Sequence, residues 1–313
     1  MIYLYSPDDN AANGGIAKIY RHADVLNKNG FEAAVVHLKP GFRCTWFNNS
    51  TPVVYAQTIN PGQHDFMVAT EVFGPQIART APGIRKVIFN QNCYNTFLNY
   101  PFDKTAMETP YLHPDIVATI TVSEDSVSYL RHAFPSACIL RIRPGIDGAL
   151  FHQGSQKKKQ IAFMPRRRAD EARQVLNILK FRGALAEFDI VEIADLAHEE
   201  AARRIRESAF FFSFSGIEGF GLPPAEAMAS GCITVGFHGR GGKEFFRPDF
   251  SWPIAFGDIE DYARTAETVL NQYRHDPAPL EAKAAQAASF IASTYSPENE
   301  EADILACWRQ ITG

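Results

Sequence analysis

The sequence lacks several features that would assign it to a particular class of protein. Its 313 residues contain no run of 18 apolar residues, so we expect no membrane-spanning helix. The 31 basic residues are outnumbered by 35 acidic ones, so the basic excess typical of nucleic-acid-binding proteins is absent and we expect no nucleic-acid partner. The 21 glycines and 19 prolines follow no period, which excludes a fibrous protein.

Cysteine is scarce and irregularly spaced. The five cysteines lie at positions 44, 93, 138, 232 and 307 without a CxxC pair, which excludes a disulfide framework and a zinc ribbon. The first residues, MIYLYSPDDNAANGG, contain neither a basic segment nor an apolar run long enough for a signal peptide. We therefore expect a cytoplasmic protein with reduced thiols.

The sequence does contain a regular alternation of strand-like and helix-like segments. The predicted strands are Ile2–Tyr5, Ala33–Val36, Phe66–Thr70, Lys86–Phe89, Val117–Val122, Gln160–Met164, Asp189–Ile193, Phe210–Phe214 and Ile233–Phe237. The predicted helices are Ile16–Leu26, Glu124–Phe134, Asp170–Phe181, Glu199–Ser208, Pro224–Ser230 and an apolar stripe from Ile304 to Ile311. This βαβ series predicts parallel sheets covered by helices.

A turn-rich stretch from Arg143 to Gln156 interrupts the alternation, and we place a domain boundary there. We predict an α/β protein of two doubly wound, Rossmann-like domains that face a central cleft. The domains are residues 1–150 and 151–295, and a C-terminal helix over residues 296–313 packs back on the first domain. Ligands of such sheets bind outside the carboxyl ends of the strands.

The segment richest in chemistry is SFSGIEGFGLPPAEAMASG, residues 213–231. Glu218 stands in a glycine-rich loop after the most apolar predicted strand, and Glu226 in the first turn of a predicted helix. Glycines let the backbone approach a ligand closely, and the N–H groups at a helix start favour an anion. The pattern predicts two carboxylates beside a phosphate site; the alternative is a helix start with a solvated Glu226.

Glu218 and Glu226, eight residues apart within EGFGLPPAEAMASG, resemble the signature of the retaining GT-B glycosyltransferases of family four, also called group 1. Further segments resemble the same family. They are Asn13–Gly15, Val122–Glu124, Arg143–Asp147 with Phe151, Ile161–Arg166 and Gly241–Glu244. The likeness spans most of the chain and is most specific in its second half.

The resemblance assigns roles to these residues. It implies that Glu218 contacts the donor sugar near the reacting carbon, that Glu226 binds the ribose, and that Arg166 holds the diphosphate. Glu218 and Arg166 are accordingly the catalytic candidates. The other implied donor-binding residues are Gly14, Gly15, Gly219, Phe220, Gly221 and Leu222.

The sequence departs from the family at three places. The Lys that usually follows the phosphate-binding Arg by five residues is Glu171 here. Arg167, Arg168 or Arg173 would replace it, and we favour Arg168. Asn90 and Asn92 stand where the family has a His, and Lys243 stands where its glycine loop has a Pro, so these three are candidate acceptor-binding or orienting residues.

The activity that the resemblance implies is transfer of a hexosyl group with retained configuration. The donor would be a UDP- or GDP-linked sugar and the acceptor a glycan or lipid-linked saccharide. We expect no cofactor and no metal, since the 16 Asp form no Asp-x-Asp tripeptide. Alternatives are a non-catalytic nucleotide-sugar-binding subunit and a nucleotide-sugar epimerase or phosphorylase on the same fold.

The resemblance also bears on where the protein acts. Many members of the family make polysaccharides or lipid-linked sugars at the inner face of a membrane. Arg203, Arg204 and Arg206 are therefore candidate contacts of a peripheral protein with that surface.

Overall fold

A computed structural model describes residues 1–98, 100, 102, 109–154, 156–165 and 168–313. These residues form two compact units, one of residues 1–144 with 300–313 and one of residues 145–299. Each unit is a parallel sheet with helices, so the predicted pair of Rossmann-like α/β sheets is confirmed. The division falls after Pro144, a few residues before the predicted boundary.

Within the described residues, the first unit contains a seven-stranded parallel sheet in the order β3-β2-β1-β4-β5-β6-β7. The strands are β1 (Ile2–Tyr5), β2 (Ala33–His37), β3 (Val53–Tyr55), β4 (Phe66–Thr70), β5 (Arg85–Asn90), β6 (Ile116–Thr121) and β7 (Ile139–Arg141). The helices are α1 (Gly14–Lys28), α2 (Gln76–Arg79), α3 (Glu124–Ala133) and the last helix of the chain, Pro297–Thr312, from Glu300 onward.

The second unit, over its described residues, contains a five-stranded parallel sheet in the order β12-β11-β10-β8-β9. The strands are β8 (Lys158–Phe163), β9 (Asp189–Glu192), β10 (Ser208–Glu218), β11 (Ile233–Arg240) and β12 (Trp252–Ile254). The helices are α4 (Ala169–Phe181), α5 (His198–Glu207), α6 (Leu222–Ala229), α7 (Ile259–His275) and α8 (Ala278–Thr294). The final helix, Pro297–Thr312, is α9.

The central strands are buried on both faces, and this explains their nearly continuous apolar sequence. In β10, Phe210, Phe211 and Phe212 are almost completely buried. Helices must cover both faces of such strands, and the amphipathic α4 contributes Val175 and Leu179 to this cover. The carboxyl ends of these rigid strands are therefore well defined in position.

Helix α9 completes the core of the first unit. Trp308 is fully buried, its indole N–H donates to His22 Nε2 at 2.6 Å, and its ring lies edge-on to Phe66 at 5.5 Å. Lys18 forms an ion pair with the buried Glu300 at 2.7 Å. The last residues of the chain thus belong structurally with the first ones. Across the described helices, none combines the length and apolarity needed to cross a bilayer.

Candidate active site

The strand order of the second unit reverses between β8 and β10. Strand β9 lies on one side of β8, and β10, β11 and β12 lie on the other. Doubly wound sheets bind ligands in the crevice that such a reversal opens at the carboxyl ends of the strands. The chain that follows β8 leads to Arg168, and β10 ends at Glu218. The predicted site residues Arg166 and Arg167 lie outside the described residues.

Glu218 is the last residue of β10, so the prediction that it stands in a loop was wrong. The strand pairing shifts after Ser215 and resumes with Glu218 opposite Arg240 of β11, which extends the strand beyond its apolar part. Glu218 is half-buried, and its Cβ lies 3.6 Å from the position that a Cβ on Gly239 would take. The carboxylate is therefore carried by the sheet itself.

Two glycines let the end of β11 and the turn after it pack directly on the end of β10 and the chain after it. A Cβ on Gly241 would overlap the carbonyl oxygen of Gly219, and one on Gly239 would lie 2.9 Å from the carbonyl oxygen of Gly216. Real Cβ atoms do not approach this closely, so each position requires glycine. These two glycine-containing segments form one rigid backbone layer next to Glu218.

Helix α6 begins at Leu222, earlier than the predicted Pro224. Its cap is Gly221, with φ +93°, and Pro223 and Pro224 fall in its first turn. Proline is tolerated there because the first N–H groups of a helix have no intrahelical partner. Four backbone positions at the start of a helix have no intrahelical acceptor for their N–H groups, and here they are Gly221, Leu222 and the two prolines. Because proline has no N–H, only Gly221 and Leu222 can donate to an anion.

This helix start also moves Glu226. Glu226 is the fifth residue of α6 and does not lie in the first turn, contrary to the prediction. Residues i and i+4 share a helix face, so Glu226 lies one turn below Leu222. Its half-buried carboxylate is thus held on a rigid element beside the helix start.

Phe220 supports the loop from inside. Its buried ring packs against Phe245 at 5.0 Å and Tyr295 at 5.1 Å, and Tyr295 Oη donates to Glu244 Oε1 at 2.8 Å. A ligand contact through the Phe220 ring is therefore disfavoured. Lys243 lies on the exposed side of the same short turn.

Arg168 crosses this edge of the sheet. Its Nη1 donates to Glu171 Oε1 at 3.0 Å, and its guanidinium carbon lies 4.7 Å from the centre of the Phe256 ring, beyond the end of β12. A Cβ on Gly216 would lie 3.1 Å from Arg168 Nε, so glycine gives the side chain room to lie along β10. Glu171 compensates part of the charge of Arg168. Arg173, the other described candidate for the second phosphate-binding residue, pairs with Asp170.

The first unit has its own strand reversal, between β1 and β4. Gly14 and Gly15 follow β1 and begin α1, where the Asn13 side chain accepts the N–H of Gly15 at 3.0 Å. Glu71 follows β4. Glu71 is 4% exposed, and its side chain accepts the backbone N–H groups of Gln91 at 2.9 Å and of Asn92 at 3.1 Å. Burial raises the pKa of Glu71 to about 7, although these N–H groups oppose the rise.

Sequence reasoning missed Glu71. The signal was its position directly after a buried strand at the carboxyl edge of the sheet, the edge at which such sheets bind their ligands. Gln91, which Glu71 holds, donates from Nε2 to the carbonyl oxygen of Gly15 at 2.8 Å. Glu71 therefore links the loop after β5 to the start of α1.

The predicted orienting residues Asn90 and Asn92 have structural partners. Asn90 is fully buried and donates to Thr96 Oγ1 at 3.0 Å and to Tyr111 Oη at 2.7 Å, which counts against a direct ligand contact. Asn92 is half-buried, and its side chain accepts the N–H of Tyr94 at 3.2 Å.

The arginines proposed for membrane contact are largely compensated. Arg203 pairs with Glu200 and Glu207, each at 2.7 Å, and Arg204 pairs with Glu200 at 2.8 Å. Arg206 donates to a backbone carbonyl within the same unit. This arrangement counts against a basic membrane-binding cluster on α5.

Comparisons with known proteins agree with this architecture. No model of a known protein family matches the sequence. An α-1,6-glucosyltransferase of Actinobacillus pleuropneumoniae serotype 7 (strain AP76) is 40% identical over 85 residues, which are 26% of this chain and 24% of that protein. The match thus spans about a quarter of the curated relative.

Solved structures match over almost the whole chain. Sucrose-phosphate synthase from Thermosynechococcus elongatus has a TM-score of 0.70 at 13% identity and covers 99% of this chain and 98% of its own. HepE of Anabaena, solved with UDP and glucose, has a TM-score of 0.68 at 14% identity, over 99% and 100% of the two chains. The chain has the GT-B fold. In GT-B terms, each unit is one Rossmann-like half, and Arg168, Glu218 and Glu226 lie in the second half.

Proposed function

We propose that this chain is a glycosyltransferase that moves a hexosyl group from a nucleotide diphosphate to a glycan or lipid-linked saccharide, with retention of configuration as in family four. The observation that carries the proposal is the convergence of Glu218, the start of α6 and Arg168 at the strand reversal of the second unit. The UDP and glucose named for HepE, which has the same fold, support a nucleotide-sugar donor.

The geometry suggests one place for each part of the donor. The N–H groups of Gly221 and Leu222, with Arg168, would hold the diphosphate. Glu226 lies one helical turn further along α6 and would accept hydrogen bonds from the ribose hydroxyls. Glu218, on the strand beside α6, would contact the sugar.

The protein would act by positioning and by stabilising charge. Holding donor and acceptor together removes much of the entropic part of the barrier, and fixed donors stabilise the charge that develops on the leaving diphosphate. The carboxylate of Glu218 would support positive charge at the anomeric carbon, while an oxygen of the leaving phosphate takes the proton of the acceptor. These steps use no cofactor.

A binding and turnover screen tests the proposal. Thermal shift and calorimetry with UDP, GDP, ADP and their sugars identify the donor, and product analysis with glycan acceptors then identifies the reaction. Transfer to an acceptor supports the proposal. Binding without turnover indicates a non-catalytic subunit, epimerised donor or phosphorolysis indicates another enzyme, and no binding of any of these nucleotides contradicts the proposal.

Glu226→Ala tests the nucleotide site itself. Removing the carboxylate leaves ribose hydroxyls without an acceptor, so we expect nucleotide binding to weaken by about 1–3 kcal/mol in calorimetry. Glu260→Ala, an exposed residue in the first turn of α7, is the matched control. If the two variants bound the nucleotide with equal affinity, Glu226 would not be the residue that binds the ribose.

A further inference from the structure

Strand β11 ends, at the turn that follows it, in an arginine whose backbone conformation favours glycine. Arg240 has φ +68° and ψ −68° and lies between Gly239, with φ +64°, and Gly241. A residue with a Cβ is strained in such a conformation, and a third glycine would avoid the strain. Strain of this kind concentrates at functional sites, where the surrounding structure maintains it.

The surroundings fix this turn from both sides. His238 Nδ1 accepts the backbone N–H of Arg240 at 3.0 Å. Gly239 lies against the carbonyl of Gly216, and Gly241 against that of Gly219. The position of Arg240 is therefore determined by backbone packing on both of its neighbours.

This packing places Arg240 beside the proposed donor site. Arg240 is the strand partner of Glu218, and neighbouring strands lie about 4.8 Å apart. Its neighbour Gly241 touches Gly219, two residues before the cap of α6. Arg240 is also exposed, so a ligand at Glu218 and the α6 start lies within reach of a long side chain.

The charges at this edge favour a second cation. A diphosphate carries at least two negative charges, whereas the guanidinium of Arg168 already shares its charge with Glu171. We propose that Arg240 binds the diphosphate of the donor, through the planar fork of N–H donors that suits phosphate oxygens. This inference rests on the proposed function and adds to it a residue outside the family-like motifs.

Calorimetry with UDP and with uridine tests the inference on the full chain. We expect Arg240→Gln and Arg240→Gly to bind UDP about 10- to 100-fold more weakly and to bind uridine unchanged, because only the phosphate contacts are lost. Arg240→Gly should unfold at the same temperature as the wild type or higher, since glycine relieves the strain. Arg264→Gln, on α7 and paired with Glu260, is the control that should keep wild-type affinity.

The outcomes separate the two proposals. If the wild type binds UDP and both Arg240 variants bind it equally well, the role of Arg240 is wrong and the proposed function stands. Equal losses for UDP and uridine would also overturn the role, because they indicate a general disturbance of the site. If the wild type binds none of UDP, GDP and ADP, the proposed function fails, and this inference fails with it.

Discussion

Glu218 occupies a rigid position at the end of a central strand. It ends β10 and lies against Gly239, while the apolar part of the strand provides the packing. Glu218→Gln keeps the size and most hydrogen bonds of the side chain but removes the charge. We expect kcat to fall by about 10²–10⁴, or roughly 3–5 kcal/mol of transition-state stabilisation, with little change in nucleoside diphosphate binding.

A purely structural role for Glu218 gives a different result. In that case the variant would lose thermal stability and nucleotide affinity together, while kcat per folded molecule stayed the same. Melting temperature, nucleotide affinity and single-turnover rate, measured on one preparation, distinguish the two. An unchanged single-turnover rate would remove Glu218 from the mechanism.

Glu71 should make the stability of the first unit depend on pH. Its pKa rises by burial from 4.5 to about 7 in the folded state. Between these values the unfolded chain releases a proton that the folded chain keeps, so stability falls as pH rises through this window, by about 3 kcal/mol at most. The nearby Cys93 and Tyr111 stay neutral there, because burial raises the pKa of each.

Glu71→Gln provides the comparison, since it is neutral at every pH. Urea unfolding of both proteins from pH 4.5 to 7.5 should show a wild-type free energy of unfolding that declines relative to that of the variant. A constant difference between the two proteins across this range would mean that Glu71 ionises normally in the folded state.

At the scale of elements, the apolar strands were predictable and their ends were not. Buried runs such as Phe66–Thr70 carry their own signal. The extension of β10 to Glu218 depends on pairing with β11, which sequence periodicity does not contain. The three-residue strands β3, β7 and β12 are too short for a pattern, whereas α7 carries a clear apolar stripe that could have been found.

The contact between the two glycine loops is the element-scale feature most open to test. Gly241→Ala would force its Cβ into the carbonyl of Gly219, so the layer beside Glu218 must shift. We expect a loss of about 1–3 kcal/mol in stability and weaker nucleotide binding, from urea unfolding and calorimetry. Gly148→Ala, with open space around its position, is the control. Two variants with matching stability and affinity would contradict the described packing.

At the scale of the whole molecule, the topology predicted where the site lies better than it predicted which residues form it. Alternating strands and helices indicate that side chains after parallel strands share one edge, and Arg168 and Glu218 lie there. Glu71 and Arg240 were missed because their importance depends on distant segments that meet only in the fold. Helix α9 was expected to pack on the first domain, and its Trp308 lies in the core that the start of the chain forms.

The proposed reaction should not depend on a divalent cation. The sequence contains no Asp-x-Asp tripeptide, and over the described residues no three His, Cys, Asp or Glu side chains are grouped so that they could hold a metal ion. Charge on the leaving diphosphate can be stabilised by arginine and by the start of α6. We therefore expect the turnover rate in EDTA to stay within about twofold of that in magnesium. If a metal ion held the diphosphate, its removal would cost several kcal/mol of transition-state stabilisation, and the rate would fall far more than twofold. A rate that collapses in EDTA and returns with manganese would show that the diphosphate is held by a cation, and would replace this charge assignment.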